Sequence, residues 1–348
     1  MSLPITLRRI SITLVAAAAF ATTAVAQKKV ATFDSSYYKT YPREITGRVF
    51  LSQKYTRLKL DAPGNSSLKY VPNNPFAVGV GASYGIATLN VGIGIPGSKD
   101  EEEKGKTKSL DLQPHIYARK WVVDLYGQFY KGYYLSDKGR GTTEGNYYKR
   151  PDMKVRVFGA SAYHIFNSER FSYRASFLQL EWQKKSAGSF LLGGEAYYGS
   201  VKGDSALAPT AYANAFGLAG IYKTNFIEFG PGAGYAYTLV LDQHWFVTAS
   251  GTVNADLSFT NEYGNAGKEK KTTISPNFTL RGVAGYNSDN WIATASWVEN
   301  NLNATGSADR EYLARTGNFR ITIAKRLNTS RKLRKKLDMI EQPAEQPK

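Results

Sequence analysis

Few side chains in this sequence can move a proton at neutral pH or hold a metal. Three histidines, His115, His164 and His244, stand among 348 residues, and there is no cysteine. Hydrolysis of an acyl chain by a β-barrel needs a Ser–His pair on the lipid face near the rim, with the imidazole as base for the hydroxyl. His115 and His164 fall on the polar face of their predicted strands and so point inward, and His244 falls in a short turn. None has the required placement. A zinc site gathers several His, Cys or carboxylate ligands, and three scattered histidines do not form one. No catalytic residue, metal site or cofactor is expected.

Other polar groups suggest binding or structure. The acidic run Asp100-Glu101-Glu102-Glu103, set among Lys99, Lys104, Lys106 and Lys108, reads as a solvated loop tip, with a divalent cation as the sharper alternative. The loop Gly139–Tyr148 carries Gly, Thr, Asn and two Tyr, a composition that suits glycan contact or simple exposure. On the polar faces of the strands stand Asp111, Gln113, His115, Asp124, Gln128, Arg156, Arg174, Gln179 and Glu181. Lining a lumen, charges of both signs either keep water or find partners. They would then line a channel or close it as a salt-bridge network.

The elements that must position these groups are strands. From about Thr46 to Leu327 the chain alternates apolar and polar residues, breaks at turn residues, and alternates again. Phe76, Val78, Val80 and Ala82 share one face, and Ala77, Gly79, Gly81 and Ser83 share the other. Leu89, Val91, Ile93 and Ile95 oppose Asn90, Gly92 and Gly94. Met153, Val155, Val157, Tyr163 and Ile165 oppose Lys154, Arg156, Phe158 and His164. A barrel strand gives only alternate residues to lipid, so mean hydropathy stays low, here −0.37.

Short turns near Tyr84–Ala87, Arg119–Trp121, Asn167–Arg170, Asp242–His244 and Asn287–Asn290 take turns with long polar loops. The long ones are about Asp61–Asn74, Pro96–Lys108, Ser136–Asp152, Asn261–Thr272 and Asn301–Arg315. Short periplasmic turns and long outer loops are the habit of outer-membrane barrels, and aromatics such as Trp121, Phe166, Trp245 and Trp291 near strand ends suit interfacial girdles. The fold class predicted is all-β, a closed antiparallel transmembrane barrel. Candidate strands cover about 46–60, 75–84, 87–95, 109–119, 121–134, 153–166, 170–183, 187–202, 226–241, 244–259, 273–286, 290–300 and 316–327. Bacterial single-chain barrels have even counts. Either one candidate is a loop, giving twelve, or a further strand crosses near Asn214–Lys223, giving the favoured fourteen.

The ends read differently. Arg8 and Arg9, the apolar run Ile10–Phe20 and Ala24-Val25-Ala26 have the pattern of a secretory leader over 1–26, followed by a periplasmic segment over 27–45. Formal net charge is +17, and removal of Arg8 and Arg9 with the leader leaves +15. Part of the excess lies in a basic tail, 328–348, where Arg331, Lys332, Arg334, Lys335 and Lys336 follow Lys325 and Arg326 with no acid between. For an exported chain nucleic acid is a poor counter-charge. Outer-membrane lipid and lipopolysaccharide are the expected partners of the protein, with cell-wall polymer an option for the tail.

Several segments carry a resemblance. They are Tyr70-Val71-Pro72-Asn73-Asn74, Gln183–Phe190, Phe229-Gly230-Pro231-Gly232-Ala233-Gly234-Tyr235-Ala236-Tyr237 and Gly285-Tyr286-Asn287-Ser288-Asp289. Over nearly the whole mature length the chain resembles a family of exported proteins from Bacteroides-type bacteria, catalogued as a domain of unknown function. The resemblance implies an outer-membrane barrel and transfers no functional residue. Porin-like passive permeation or a structural role is expected, and a surface adhesion or partner-binding barrel working through its long loops is the alternative.

Overall fold

A strand satisfies its backbone N–H and C=O groups only against two neighbours, so a sheet without a free edge must close on itself. The computed structural model, which describes residues 32–61, 67–85, 87–96, 100–142, 145–214, 220–330 and 346–347, meets this constraint with a ring of ten antiparallel strands. In chain order the strands are β1 (Thr32–Phe33), β2 (Tyr38–Thr40), β3 (Glu44–Asp61), β4 (Leu68–Val71), β5 (Ala77–Tyr84), β6 (Ala87–Gly94), β7 (Lys108–Leu112), β8 (His115–Tyr117), β9 (Trp121–Leu135), β10 (Lys149–Ile165), β11 (Glu181–Gln183), β12 (Ala187–Lys202), β13 (Lys223–Leu241), β14 (Trp245–Gly264), β15 (Gly267–Asn287), β16 (Trp291–Thr305), β17 (Glu311–Asn328) and β18 (Gln346–Pro347).

The ring runs β3, β17, β16, β15, β14, β13, β12, β10, β9, β4 and back to β3. Its seam pairs β3 with β17 along their whole length, from Asp61 opposite Glu311 to Glu44 opposite Asn328. At the long-loop end the short β4 bridges the gap, pairing with Leu58–Leu60 on one side and with Tyr134 and Leu135 on the other. At the short-turn end the hairpin β5–β6 adds to β3, and β7 and β8 add to β9, with no ladder between the two sets among the described residues.

These four strands bring the sheet to fourteen, the number favoured from sequence, but only ten members close the ring. The fourteenth strand was expected near Asn214–Lys223. Thr210–Ala213 is instead a helical turn, 215–219 lie outside the described residues, and β13 begins at Lys223. The candidate over 109–119 is broken at Gln113-Pro114, because proline has no N–H for the ladder. Two expected long loops are mostly strand. The segment Asn261–Thr272 continues the β14–β15 ladder to Gly264 opposite Gly267, and Asn301–Arg315 narrows to 306–310. The largest departure is the candidate over 170–183, which is not a wall strand.

The outer surface of the sheet is apolar. Val80, Leu89, Ile93, Phe190, Leu192, Ile227, Val247, Val253, Ile274 and Ile323 are all more than half exposed. The inner surface is polar and tightly packed, with Thr56, Gln128, Thr248, Asn254, Asp256, Asn277 and Arg281 each at 3% exposure or less. At Gly199 close packing demands the missing side chain. The ring of Phe226, on the neighbouring strand, lies where a Cβ would stand, its nearest carbon 1.9 Å away. Gly199→Val should therefore cost about 1–3 kcal/mol through overpacking. Thermal unfolding in detergent, followed by loss of the heat-modifiable gel band, should show a lower midpoint than for the parent protein.

Candidate functional site

The chemistry-bearing residues converge on the lumen, which is occupied at three levels. At the short-turn end the segment 166–186 leaves the wall and folds inward. Ser172 caps a short helix, Tyr173–Phe177, its Oγ accepting from the Ala175 N–H at 3.0 Å. Gln179 then turns at φ 58°, and β11 pairs antiparallel with β2 from the N-terminal segment.

Polar contacts tie this plug to the wall around much of its circumference. The Tyr173 hydroxyl meets Ser250 Oγ at 2.7 Å and accepts from Arg281 at 2.9 Å. Ser176 Oγ meets Thr248 at 2.7 Å. Arg48 donates to the Leu178 carbonyl at 3.1 Å, and Asn287 and Arg326 donate to the Glu181 carbonyl at 3.0 and 3.1 Å. Arg119 grips the Glu181 carboxylate with two nitrogens, at 3.0 and 2.8 Å, and Arg174 lies 3.6 Å from the same group. Ser172 also donates to it.

The middle level is polar. Asp124 is fully buried and paired with Arg281, and it accepts from Tyr117 at 3.1 Å; His115 Nδ1 is 2.6 Å away. Nearby, Asn277 donates to Glu228 at 3.2 Å and to Asp256 at 2.9 Å, and Ser258 donates to Glu228 at 2.9 Å. Glu195 stands on the adjacent strand opposite Gly230, whose bare Cα leaves room for the Asp256 carboxylate. Among the described residues no cluster has metal-binding geometry.

The outer level is an apolar core inside the barrel. Leu58, Leu60, Tyr70, Tyr130, Tyr133, Met153, Val155, Tyr197, Phe226 and Tyr312 pack together, joined by Leu207 and Ile221 from the loop after β12. The Tyr70 hydroxyl donates to the Leu207 carbonyl at 2.6 Å, and Arg150 donates to the Ala206 carbonyl at 2.6 Å, so the loop is held inward.

Asp111 accepts from Tyr130 at 2.5 Å and lies 3.5 Å from Lys54. Gln128 accepts from Thr316 at 3.0 Å. Gln113 is partly buried beside the break in its strand. Arg174, Gln179 and Glu181 lie inside the barrel on the plug, not on a wall strand. Arg156 does not face inward. The apolar residues Met153, Val155 and Val157 do, because the outer lumen is itself a core, and Arg156 is left exposed on the outside. His164 is also on the outer face, between Trp121 and Phe166 at ring distances of 5.2 and 5.0 Å, because its neighbours Tyr163 and Ile165 turn inward onto Phe171 and Tyr173 of the plug. His244 is stacked between Trp182 and Tyr286 and bonded to the Asn287 carbonyl at 2.8 Å. The basic tail Arg331, Lys332, Arg334, Lys335 and Lys336 and the segment 1–26 expected to be a leader lie outside the described residues. Arg48, Arg281 and the carboxylates Glu195, Glu228 and Asp256 were not singled out from sequence, and Arg326 was read only as part of the basic run toward the tail. Their signal was a charged residue at an inward position of an alternating strand, as in Leu280-Arg281-Gly282.

These features define a closed β-barrel whose interior is filled by its own polar and apolar side chains. The chain belongs to a family described as a domain of unknown function, DUF4421, whose model matches residues 32–326. No curated protein matches the sequence. Among solved structures it is similar to the outer membrane protease OmpT of Escherichia coli, at 10% identity and TM-score 0.34 over 82% of this chain and 97% of that one. It is also similar to Ail, the attachment invasion locus protein of Yersinia pestis, at 10% identity and TM-score 0.20 over 81% of this chain and 99% of that one. A mutant of the monoaromatic hydrocarbon channel TodX gives 8% identity and TM-score 0.23 over 82% and 91%. Likenesses of this size carry no inference about activity.

The plug gives a pH prediction. Burial by itself would raise the Glu181 pKa, but the charges of Arg119 and Arg174 and the hydrogen bonds from Arg119 and Ser172 outweigh it and hold the carboxyl below its ordinary 4.5. A depressed folded-state pKa contributes stability above the unfolded value and loses it as pH falls through the folded one. Protease access to 166–186 should therefore stay low from neutral pH down to about 4.5 and rise in more acid solution. Glu181→Gln removes the buried carboxylate charge that faces Arg119 and Arg174, a loss of about 3–5 kcal/mol, and should make the segment accessible at neutral pH.

Proposed function

We propose that this protein is an outer-membrane barrel of a Gram-negative bacterium, delivered by its N-terminal leader, with a lumen closed at rest and a structural role in the membrane. The exposed apolar outer face supports insertion, since water-soluble monomers seldom expose apolar patches beyond a few hundred Å². One observation carries the closed state: the segment 166–186 is bound across the short-turn mouth to strands on several sides through Arg48, Thr248, Ser250, Arg281 and Arg326. Above it the apolar core around Tyr130 and Tyr197 fills the outer half. Porin-like passage then requires both the plug and the outer core to move.

Planar-bilayer recording tests this reading. Purified protein should insert without a steady conductance, and removal of residues 168–183 alone should not produce one, because the apolar core still fills the outer half. A stable open channel from the intact protein would contradict closure.

A second reading, partner binding at the cell surface, draws support from the order of the outer loops. Lys138 pairs with Glu103 at 2.5 Å, Tyr134 and Tyr147 meet edge to face, and Asp100, Glu102, Glu103, Asn146, Tyr147 and Lys149 line a recess between two loops. Deleting Gly139–Tyr148 should abolish partner binding if this surface is the working part, and should leave bilayer behaviour unchanged.

A further inference from the structure

The strand register brings like charges together on the outside of the barrel. Lys108 of β7 stands directly opposite Lys131 of β9, Lys131 opposite Lys154 of β10, Lys154 opposite Lys202 of β12, and Lys202 opposite Lys223 of β13. Five lysines thus form one unbroken row across five neighbouring strands. The inward residues beside them, Tyr130, Val155, Val201 and Thr224, are buried, so the row lies on the outer face. It continues to Tyr263, opposite Lys223, whose ring receives Lys223 at 4.5 Å and Lys268 at 5.1 Å.

Directly opposed side chains have Cβ atoms about 4.5–5.5 Å apart, and like charges there are destabilising. The barrel provides no internal relief. Of the carboxylates on these five strands, Asp111, Asp124, Glu195 and Glu228 are turned into the lumen, and Asp152 is held by Arg150 at 2.8 Å. Among the described residues none of the five lysines has an ion-pair partner.

The height of the row suggests what neutralises it. The next outward row toward the short turns reads Leu110, Phe129, Arg156, Ser200, Asn225, and the one after it Leu112, Gly127, Phe158, Tyr198, Ile227, Phe259. Each step is about 7 Å, so the charges give way to an aromatic and aliphatic surface within two steps. The lysines therefore lie at the long-loop rim of the apolar face, where lipid headgroups begin, with Arg156 one row below Lys154.

We propose that the row Lys108–Lys131–Lys154–Lys202–Lys223, with Arg156 beneath it, is a binding face for the phosphate-bearing headgroups of outer-leaflet lipid. This rests on the membrane reading above and adds a specific site to it. A lipid seated there places its acyl chains on Phe158, Tyr198 and Ile227 and its phosphates among the ammonium groups. A free phosphate gains only the second contact.

Native mass spectrometry of the full protein, inserted in phosphatidylcholine nanodiscs, tests the site with three probes: bis-phosphorylated lipid A, the same lipid enzymatically dephosphorylated, and inorganic phosphate as competitor. The parent protein should retain the phosphorylated lipid at least tenfold better than the dephosphorylated one, with equimolar inorganic phosphate displacing little of it. The variant K131Q/K154Q/K202Q should lose that preference, K131R/K154R/K202R should keep it, and K120Q/K184Q/K325Q, which removes the same charge at the opposite rim, should match the parent. Equal retention of the two lipids by the parent, or an undiminished preference in the glutamine variant, overturns the site and leaves insertion standing. Full displacement by equimolar inorganic phosphate assigns the row to free phosphate and also overturns it. Failure of the parent to enter the nanodisc overturns the membrane reading and the site together. If the glutamine variant does not fold, K154Q/R156Q provides the comparison, read against the same three probes.

Discussion

Backbone hydrogen bonding governs this molecule. A strand in lipid has no water to satisfy an unpaired edge, so the sheet has to close, and closure creates an interior that must itself be filled. In a ring of only ten strands the filling comes from the chain. Inward side chains meet across the lumen, and the segment 166–186 supplies what the wall cannot reach. The ion pair between Arg119 and Glu181 carries much of this arrangement, since it joins the turn before β9 to a strand that belongs to no wall. Without it, β11 and the helix before it would hold through the hydrogen bonds from Arg48, Arg281, Arg326 and Asn287 and the hydroxyl contacts of Tyr173 and Ser176.

The two halves of the interior are built on different physics. The short-turn half is ionic and hydrogen-bonded, with Asp124, Arg281, Tyr173 and Ser250 forming a continuous set. The long-loop half is a hydrophobic core of the kind expected in a soluble domain. That division explains the outward charges. Where apolar residues of β10 turn inward, the alternating partners Lys154 and Arg156 are forced to the exterior, and there Lys154 falls in register with Lys131 and Lys202.

Much of the wall was legible in the sequence because lipid on one side and polar packing on the other impose a period of two. The strand over 187–202 begins and ends where alternation places it, and the strands flanking Asp242–His244 and Asn287–Asn290 meet those turns where expected but run on at their far ends into the segments read as loops. Legibility failed where the period-two rule lost its meaning. In 170–183 the alternation of Phe171, Tyr173 and Ala175 resembles a strand, but the segment is surrounded by protein and its apolar residues pack in all directions. The cap at Ser172 was a helix signal that the alternation concealed. In β10 the rule gave the right strand and the wrong face, because nothing local in Met153, Val155 and Val157 reveals that the outer lumen is dry. The ion pairs of the plug depend on residues as far apart as Arg119 and Glu181, and no local pattern joins them.

The occupied lumen can be tested with one cross-link, since the chain has no cysteine of its own. Ser176 of the plug helix and Thr248 of the wall have their Oγ atoms 2.7 Å apart, so Ser176→Cys with Thr248→Cys places two thiols within bonding reach only if the helix sits in the barrel. Mild oxidation of the membrane-inserted double variant should give near-complete intramolecular disulfide, seen as a shift between reduced and oxidised gel bands. Absence of that disulfide, with each single cysteine reacting freely with a water-soluble maleimide, would show an open lumen and contradict the plug.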